Sequence, residues 1–521
     1  MNLSTQETYE ELPYPSYMHS QTHPDRLAIM AKIYGMNPAP VQKCRVLELG
    51  CGDGGGLIAF ANSLPESEFL GIDLGAKHIE LGQQMIDALE LKNVKLMLLD
   101  AMEIDKTFGK FDYIIAHGMF SWVPDFVREK MLEICSVNLS PNGVAYISYN
   151  AMPGCHLRLM VREMMIYHVK HIQDPLERAK QATSLLKFLA ESFNQKDSYH
   201  TLLKNELDNI LDKRTENVLH DDLAEINRPF YFQEFMEKAE AHGLQFLSEA
   251  DFFDMQDYFF SDEVRKALDP LKSNIIAYEQ YLDFIKGRRF RQTLLCHKDV
   301  ELNRNLSSDV VREFFIASPA RPASDEPDIV GLEAEKFVGL KGAEVTTNNP
   351  LIKAALLHLG RAWPRYSKFE EVLQEARTIL ESEDESDLES DREMLSKQLL
   401  EIFRSALVEF HLYHPQFTVE VSEKPVASRF ARYQLRSTPI VTTLRCANLF
   451  ISDAFSRHLV QMLDGTRDRQ TLVKELIEWV ESGALENEGE NITDKQKFFQ
   501  ELPNELERNL SKLGWLTLLE K

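Results

Sequence analysis

The feature that most limits how this chain can fold is an apolar strand that runs into a glycine-dense loop, Val46-Leu47-Glu48-Leu49-Gly50-Cys51-Gly52-Asp53-Gly54-Gly55-Gly56. Further on, Phe69-Leu70-Gly71-Ile72-Asp73 is a second apolar strand that ends in an acid. Glycines let the backbone approach a ligand, and a helix start offers unpaired N–H groups. An acid closing the second strand suits a ribose diol. Residues 94–100, 111–118 and 144–149 read as further strands, and 57–64, 76–89 and 126–139 as helices. This regular alternation predicts an α/β fold, a doubly wound, Rossmann-like parallel sheet with its ligand at the carboxyl edge.

Gly50-x-Gly52-x-x-Gly55 formally fits a dinucleotide fingerprint. A pyrophosphate is disfavoured by nearby anions, however, and Glu48 lies two residues before the first glycine while Asp53 lies inside the loop. Their carboxylates suit a ligand with an ammonium and a sulfonium. The expected cofactor is therefore S-adenosyl-L-methionine, held along Glu48, Gly50, Cys51 and Gly52, with Asp73 at the ribose. Asp100, at the end of the third strand, is placed to accept from an adenine amino group. A nicotinamide or flavin dinucleotide is the competing reading of the same glycines.

The loop after the fourth strand, His117-Gly118-Met119-Phe120-Ser121-Trp122-Val123-Pro124, faces the reacting edge of such a sheet. Phe120 and Trp122 either wall a narrow channel for an alkyl ammonium or belong to the core. His117 either contacts the cofactor, relays a proton or orients backbone. Tyr149 and Asn150, ending the fifth strand, either line the same pocket or anchor loops. His117, Trp122 and Tyr149 are the candidate catalytic residues. An N-terminal arm carries Tyr14 and His23, and reads either as a lid over the cofactor or as packing on the sheet. Thr22 is the expected cap of the helix that opens at Pro24.

Composition narrows the partners. The formal net charge of the 521-residue chain is -24, which disfavours nucleic acid and anionic membranes and either serves solubility alone or weakly favours a cationic partner such as a lysine-rich protein. The six cysteines lack metal-ligand spacing, so no metal is expected, and their scatter suggests a reduced, cytoplasmic protein. No apolar run approaches the ~20 residues of a membrane span, and the N-terminus lacks a signal-peptide pattern.

The expected organisation is an arm over 1–43, a strand–helix core over 44–156, a helical region over 157–316 that can bridge to another subunit, a middle domain over 327–420 and a C-terminal domain over 430–521. Residues 317–326 read as a Pro/Ala/Ser-rich linker. The basic cluster Lys286, Arg288, Arg289 and Arg291 either answers local carboxylates or grips a phosphate. A faint repeat of strand and three helices, starting near 343 and again near 446 and closing on a strand over 514–519, suggests winged-helix-like units.

Several strings together carry a resemblance: Pro13-Tyr14-Pro15, Gln21-Thr22-His23-Pro24-Asp25-Arg26-Leu27, the glycine loop, Asp112-Tyr113-Ile114-Ile115-Ala116-His117-Gly118 with Ser121-Trp122-Val123, Ser148-Tyr149-Asn150, and Leu463-Asp464-Gly465-Thr466. They resemble bacterial class I methyltransferases with a methyltransferase regulatory domain, a group that includes rickettsial-type protein lysine methyltransferases. The resemblance implies a homodimer whose middle and C-terminal domains surround an open cavity. It places Glu48, Gly50, Gly52, Asp73, Asp100, Ala101 and His117 at the cofactor, with Tyr14 and His23 nearby. Cys155-His156 departs from a tryptophan that many relatives carry. The function expected is methyl transfer from S-adenosylmethionine to protein lysine. A small-molecule N- or O-methyltransferase and a non-catalytic cofactor sensor are the alternatives.

Overall fold

A computed structural model describes residues 18–192, 197–212, 217–382, 385–487 and 495–521; Tyr14 lies outside them. Helix α1 (Pro24–Ile33) leads into β1 (Arg45–Leu49), α2 (Gly55–Ser63), β2 (Glu68–Asp73), α3 (Ala76–Leu89), β3 (Val94–Leu98), β4 (Phe111–Ala116), α4 (Asp125–Asn138) and β5 (Leu139–Asn150). The five strands are parallel in the order β3-β2-β1-β4-β5. Val46, Leu47, Ile114, Ile115, Ala145 and Ile147 are shut off from solvent. Helices cover both sheet faces, which is why these strands read as continuous apolar runs. The cap of α1 differs from expectation: His23 Nδ1 accepts from Asp25 N at 3.1 Å, while Thr22 Oγ1 turns back to donate to His19 O.

After β5 come α5 (His156–Val169), α6 (Pro175–Glu191) and α7 (Ser198–Leu211). They pack on one another through Val161, Met165, Ala182, Leu186, Leu203 and Leu207, an apolar cluster separate from that of the sheet. The chain then returns through α8 (Phe232–Ala241), β6 (Leu244–Glu249), α9 (Ile275–Lys286) and β7 (Phe290–His297). β7 lies antiparallel beside β5, with Ala145 opposite Leu295 and Asn150 opposite Phe290, and β6 lies antiparallel beside β7. The sheet is therefore seven-stranded and mixed. This corrects both the all-parallel expectation and a core that closes at 156. The apolar pattern of β6 is local, but its partner is distant in sequence, and periodicity does not report partners.

The basic cluster answers local carboxylates. Arg291 is fully buried and held by Glu249, Glu279 and Asp283 at 2.5–3.0 Å, as a buried guanidinium requires. Lys286 donates to the carbonyls of Asp254 and Gln256.

The stretch 317–326 is structured rather than a linker. It overlaps β8 (Phe315–Ala317) and contains β9 (Arg321–Pro322). Next come β10 (Glu335–Val338), β11 (Glu344–Thr347), α10 (Pro350–Ala362), β12 (Ser367–Lys368), α11 (Phe369–Ile379), α12 (Leu388–Phe403) and β13 (Glu409–His411). Small sheets run β11-β10-β9 and β12-β8-β13. Ile316, Leu356, Leu399 and Phe410 belong to the same apolar core as Val46 and Ile114, so this middle region is fused to the first domain. The last unit has its own core, from Leu459, Leu472, Leu476, Leu506 and Leu510. It holds β14 (Ile440–Thr442), β15 (Asn448–Phe450), α13 (Ala454–Met462), α14 (Arg469–Glu481) and α15 (Lys495–Trp515). The expected closing strand is instead the end of α15 followed by isolated bridges, Ala427 to Leu519 and Phe417 to Glu520.

Candidate active site

The carboxyl ends of β1, β2 and β4 and the turn after β3 open into a cavity of about 800 Å³. Glycines form its floor. Gly50 and Gly52 take φ of +69° and +58°, a region that costs other residues strain. Asp73 accepts from Gly52 N at 2.9 Å and from Gly75 N at 2.7 Å. These bonds fix the carboxylate while leaving lone pairs for a diol. Asp53 likewise accepts from Gly55 N at 2.9 Å. Asp100 caps the turn Ala101–Glu103 by accepting from Met102 N. Glu48, Gly50, Cys51, Gly52, Asp73, Asp100 and Ala101 all line the cavity, so the structure brings these expected residues together.

Electrostatics reveal what this floor lacks. Desolvation first, and then the facing charges of Asp73 and Asp53, together raise the Glu48 carboxyl to a pKa of about 8. A carboxylate cluster without a cation resists ionisation. A ligand bearing positive charge relieves it, whereas a pyrophosphate would add to the repulsion. The donor set thus fits S-adenosylmethionine. Glu48 would face its cationic end, Asp73 its ribose and Asp100 its adenine amino group.

His117 also lines the cavity. Its Nδ1 lies 2.8 Å from Tyr146 Oη, and that hydroxyl donates to Gln292 Oε1 at 2.7 Å. With the tyrosine proton so used, His117 donates from Nδ1 and keeps Nε2 as a bare acceptor. Burial, with His19 adding to it, lowers its pKa to about 3. His117 is therefore a neutral hydrogen-bonding group. Giving it a proton from an ammonium of pKa ~10.4 would cost about 10 kcal/mol, seven units at 1.36 kcal/mol each. A low basicity of this kind disfavours proton relay through His117.

Trp122 is half-buried and lines the cavity with Phe126 and Phe290, both exposed. A tight turn, Trp122 N to Met119 O at 2.9 Å, holds the loop. Beside it one open alternative is decided, for Phe120, and one expectation is corrected, for Tyr149. Phe120 is fully buried between Phe230 and Phe235. Tyr149 is 1% exposed, stacks on Phe235 at 4.2 Å and pairs its hydroxyl with Thr293. Both are core. Alternation along β5 explains the split, sending Tyr149 inward while Asn150 reaches the cavity. His23 is also absent from the cavity wall: its ring lies between Phe60 and Tyr413. His19 and Thr22 take that place, with His19 stacked on His117 at 3.8 Å.

The far wall was not legible in the sequence. Arg158 on α5, paired with Asp222 at 2.8 Å, Glu206 on α7, paired with Arg289, and Asp221 come from the inserted helices and the lead into β7. Cys155 lines the same wall, and its thiol donates to Arg289 O at 3.1 Å. No local pattern marks these residues, because only the return of the chain to the sheet brings them to the mouth. Among the described residues no group of three or more His, Cys, Asp or Glu is arranged to hold a metal ion.

Comparison with known proteins places the fold and its domains in a family. The family "Methyltransferase domain" matches residues 40–215, "Predicted methyltransferase regulatory domain" matches 214–297, and "PKMT, C-terminal winged helix domain" matches 423–518. An uncharacterized protein of Rickettsia prowazekii (strain Madrid E) is 35% identical over 510 residues, 95% of this chain and 90% of the relative. A second R. prowazekii protein, also uncharacterized, is 39% identical over 46% of this chain and 96% of its own length. Among solved structures, PKMT2 from Rickettsia typhi superimposes with a TM-score of 0.86 at 31% identity, covering 97% of this chain and all of that one (100%). The same enzyme in complex with AdoHcy, the product form of the cofactor, matches equally, also at 0.86.

Proposed function

Since the chain belongs to the family of S-adenosylmethionine-dependent methyltransferases that join a methyltransferase domain to a regulatory domain and a PKMT winged helix, we propose that it methylates lysine side chains of a protein. The observation that carries the reading is the cavity itself: an anionic glycine floor for a sulfonium cofactor at one end, and an aromatic mouth of Trp122, Phe126 and Phe290 at the other. Aromatic faces favour an alkyl ammonium. The whole-chain likeness to PKMT2 supports a protein acceptor.

When bound, S-adenosylmethionine supplies an electrophilic methyl group. The chain supplies the rest. The glycine turn and Asp73 fix position, and Trp122 and Phe290 guide the acceptor amine into line. The mouth partly desolvates that amine, which disfavours its ammonium form. With His117 neutral, the proton leaves to water before transfer, and the imidazole serves as a hydrogen-bonding contact. A homodimer in the cytoplasm completes the reading. Six unpaired, buried cysteines support a reducing compartment. A charge of -24 supports a basic polypeptide rather than nucleic acid as the partner. No described helix is long and apolar enough to cross a membrane.

The test is transfer of label from methyl-labelled S-adenosylmethionine into protein, followed by hydrolysis and amino-acid analysis. The expected product is methylated lysine. Label confined to small molecules would place the chain with metabolite methyltransferases instead.

A further inference from the structure

The arm over the cofactor end of the cavity is held in place from the far end of the chain. His19 and Thr22 line the cavity, His19 stacks on His117, and Met18 Sδ lies above Gly56 at the start of α2. The bonds that seat this arm come mostly from outside the methyltransferase domain. Asn448 on β15 of the winged-helix unit donates from Nδ2 to Met18 O at 2.9 Å. Asp25, 2% exposed at the start of α1, accepts from Leu412 N at 2.7 Å and pairs with His411 Nδ1 at 2.7 Å. The His23 ring stacks on Tyr413, and Arg26 faces Glu409 at 3.8 Å. Arg445, just before β15, pairs with Glu409 and donates to Tyr366 Oη at 3.2 Å. The arm is thus bolted through β13 to the middle region, and directly to the winged helix.

We propose that the middle and winged-helix units control cofactor residence by holding this arm closed, with Asn448, Asp25 and His411 as positioning residues that act through Met18 and His19. The inference rests on the S-adenosylmethionine site and needs no particular acceptor. It gives the C-terminal half a role in the reaction beyond surrounding the substrate, and it makes cofactor exchange sensitive to anything that moves β15 away from the arm.

AdoHcy binding to the full chain tests it, by titration calorimetry for affinity and stopped-flow displacement for the dissociation rate. Asn448 is exposed, so Asn448→Ala removes one bond and leaves the fold intact. A single hydrogen bond implies a two- to tenfold rise in both Kd and dissociation rate. Asn448→Asp sets a carboxylate against the Met18 carbonyl and is expected to lose more than Asn448→Ala. Asp25→Asn, isosteric with the native residue, weakens the second attachment and moves the same two quantities the same way. In each case one binding site per chain remains. Affinity and dissociation rate within twofold of wild type in all three variants would overturn the proposal. So would fewer competent sites at unchanged affinity, which marks damage rather than positioning. Failure of the wild-type chain to bind AdoHcy would instead refute the cofactor assignment beneath it.

Discussion

Replacing Glu48 by Gln isolates the charge that the cofactor end of the cavity has to accommodate. Burial and the charges of Asp73 and Asp53 hold this carboxyl at a pKa of about 8. If the cationic ligand engages the ionised form, affinity scales with the ionised fraction. That fraction is about 1% at pH 6, about 9% at pH 7 and one half at pH 8, from the pKa alone. The ratio of wild-type to Glu48→Gln affinity for S-adenosylmethionine should therefore rise about fiftyfold between pH 6 and pH 8, equivalent to about 2.3 kcal/mol. The ligand's own amino group titrates in the same range but affects both proteins alike, so the ratio removes it. Calorimetry in buffers of differing ionisation enthalpy gives a second readout. At pH 7 the wild type should release about 0.9 more protons on binding than the variant. Stability moves the opposite way. Because the folded pKa lies above the unfolded one, the ligand-free chain loses stability as pH rises from about 4.5 to about 8. Water in the open cavity screens part of that loss, leaving about 2–4 kcal/mol at pH 8. Glu48→Gln should recover it as a higher Tm at pH 8, with little change at pH 4.5. A flat affinity ratio across pH 6–8 would refute the argument that these carboxylates wait for a cation.

Other substitutions separate site from scaffold. Gly50→Ala puts a Cβ 3.1 Å from Met119 Sδ at a φ of +69°; the strain of about 1–2 kcal/mol should weaken AdoHcy binding about tenfold in calorimetry. Trp122→Ala removes an aromatic wall worth about 0.5–2 kcal/mol to an ammonium, so kcat/KM for the acceptor should fall while AdoHcy affinity stays within about twofold. Tyr149→Phe loses only the bond to Thr293, whose hydroxyl still donates to Glu249 at 2.9 Å. A melt should show a loss of about 0.5–1.5 kcal/mol, with KM and kcat unchanged.

The glycine-loop wall of the cavity was readable because its residues sit at the ends of successive strands. One strand end, one glycine turn and the ends of the next strands bring Glu48, Gly50, Cys51, Gly52, Asp73 and Asp100 to one edge, and the alternation that builds such an edge is itself a local pattern. The far wall was not, because Arg158, Glu206 and Arg289 meet through a helical insertion and an antiparallel return. His23 and Tyr149 were misplaced for a similar reason. Each stands beside cavity residues in sequence, Thr22 and Asn150, but its side chain points the other way. The repeated helices of the C-terminal half were visible by periodicity, whereas the fusion of the middle region to the first core depends on contacts that no window of sequence contains.

The central claim is that the carboxylate-edged glycine turn holds an adenosyl sulfonium. Titration of the purified chain with S-adenosylmethionine, AdoHcy and NAD in parallel tests it most directly. The account predicts one site per chain for the first two, abolished together by Asp73→Ala, and no heat from NAD. Tight NAD binding with indifference to AdoHcy would contradict it.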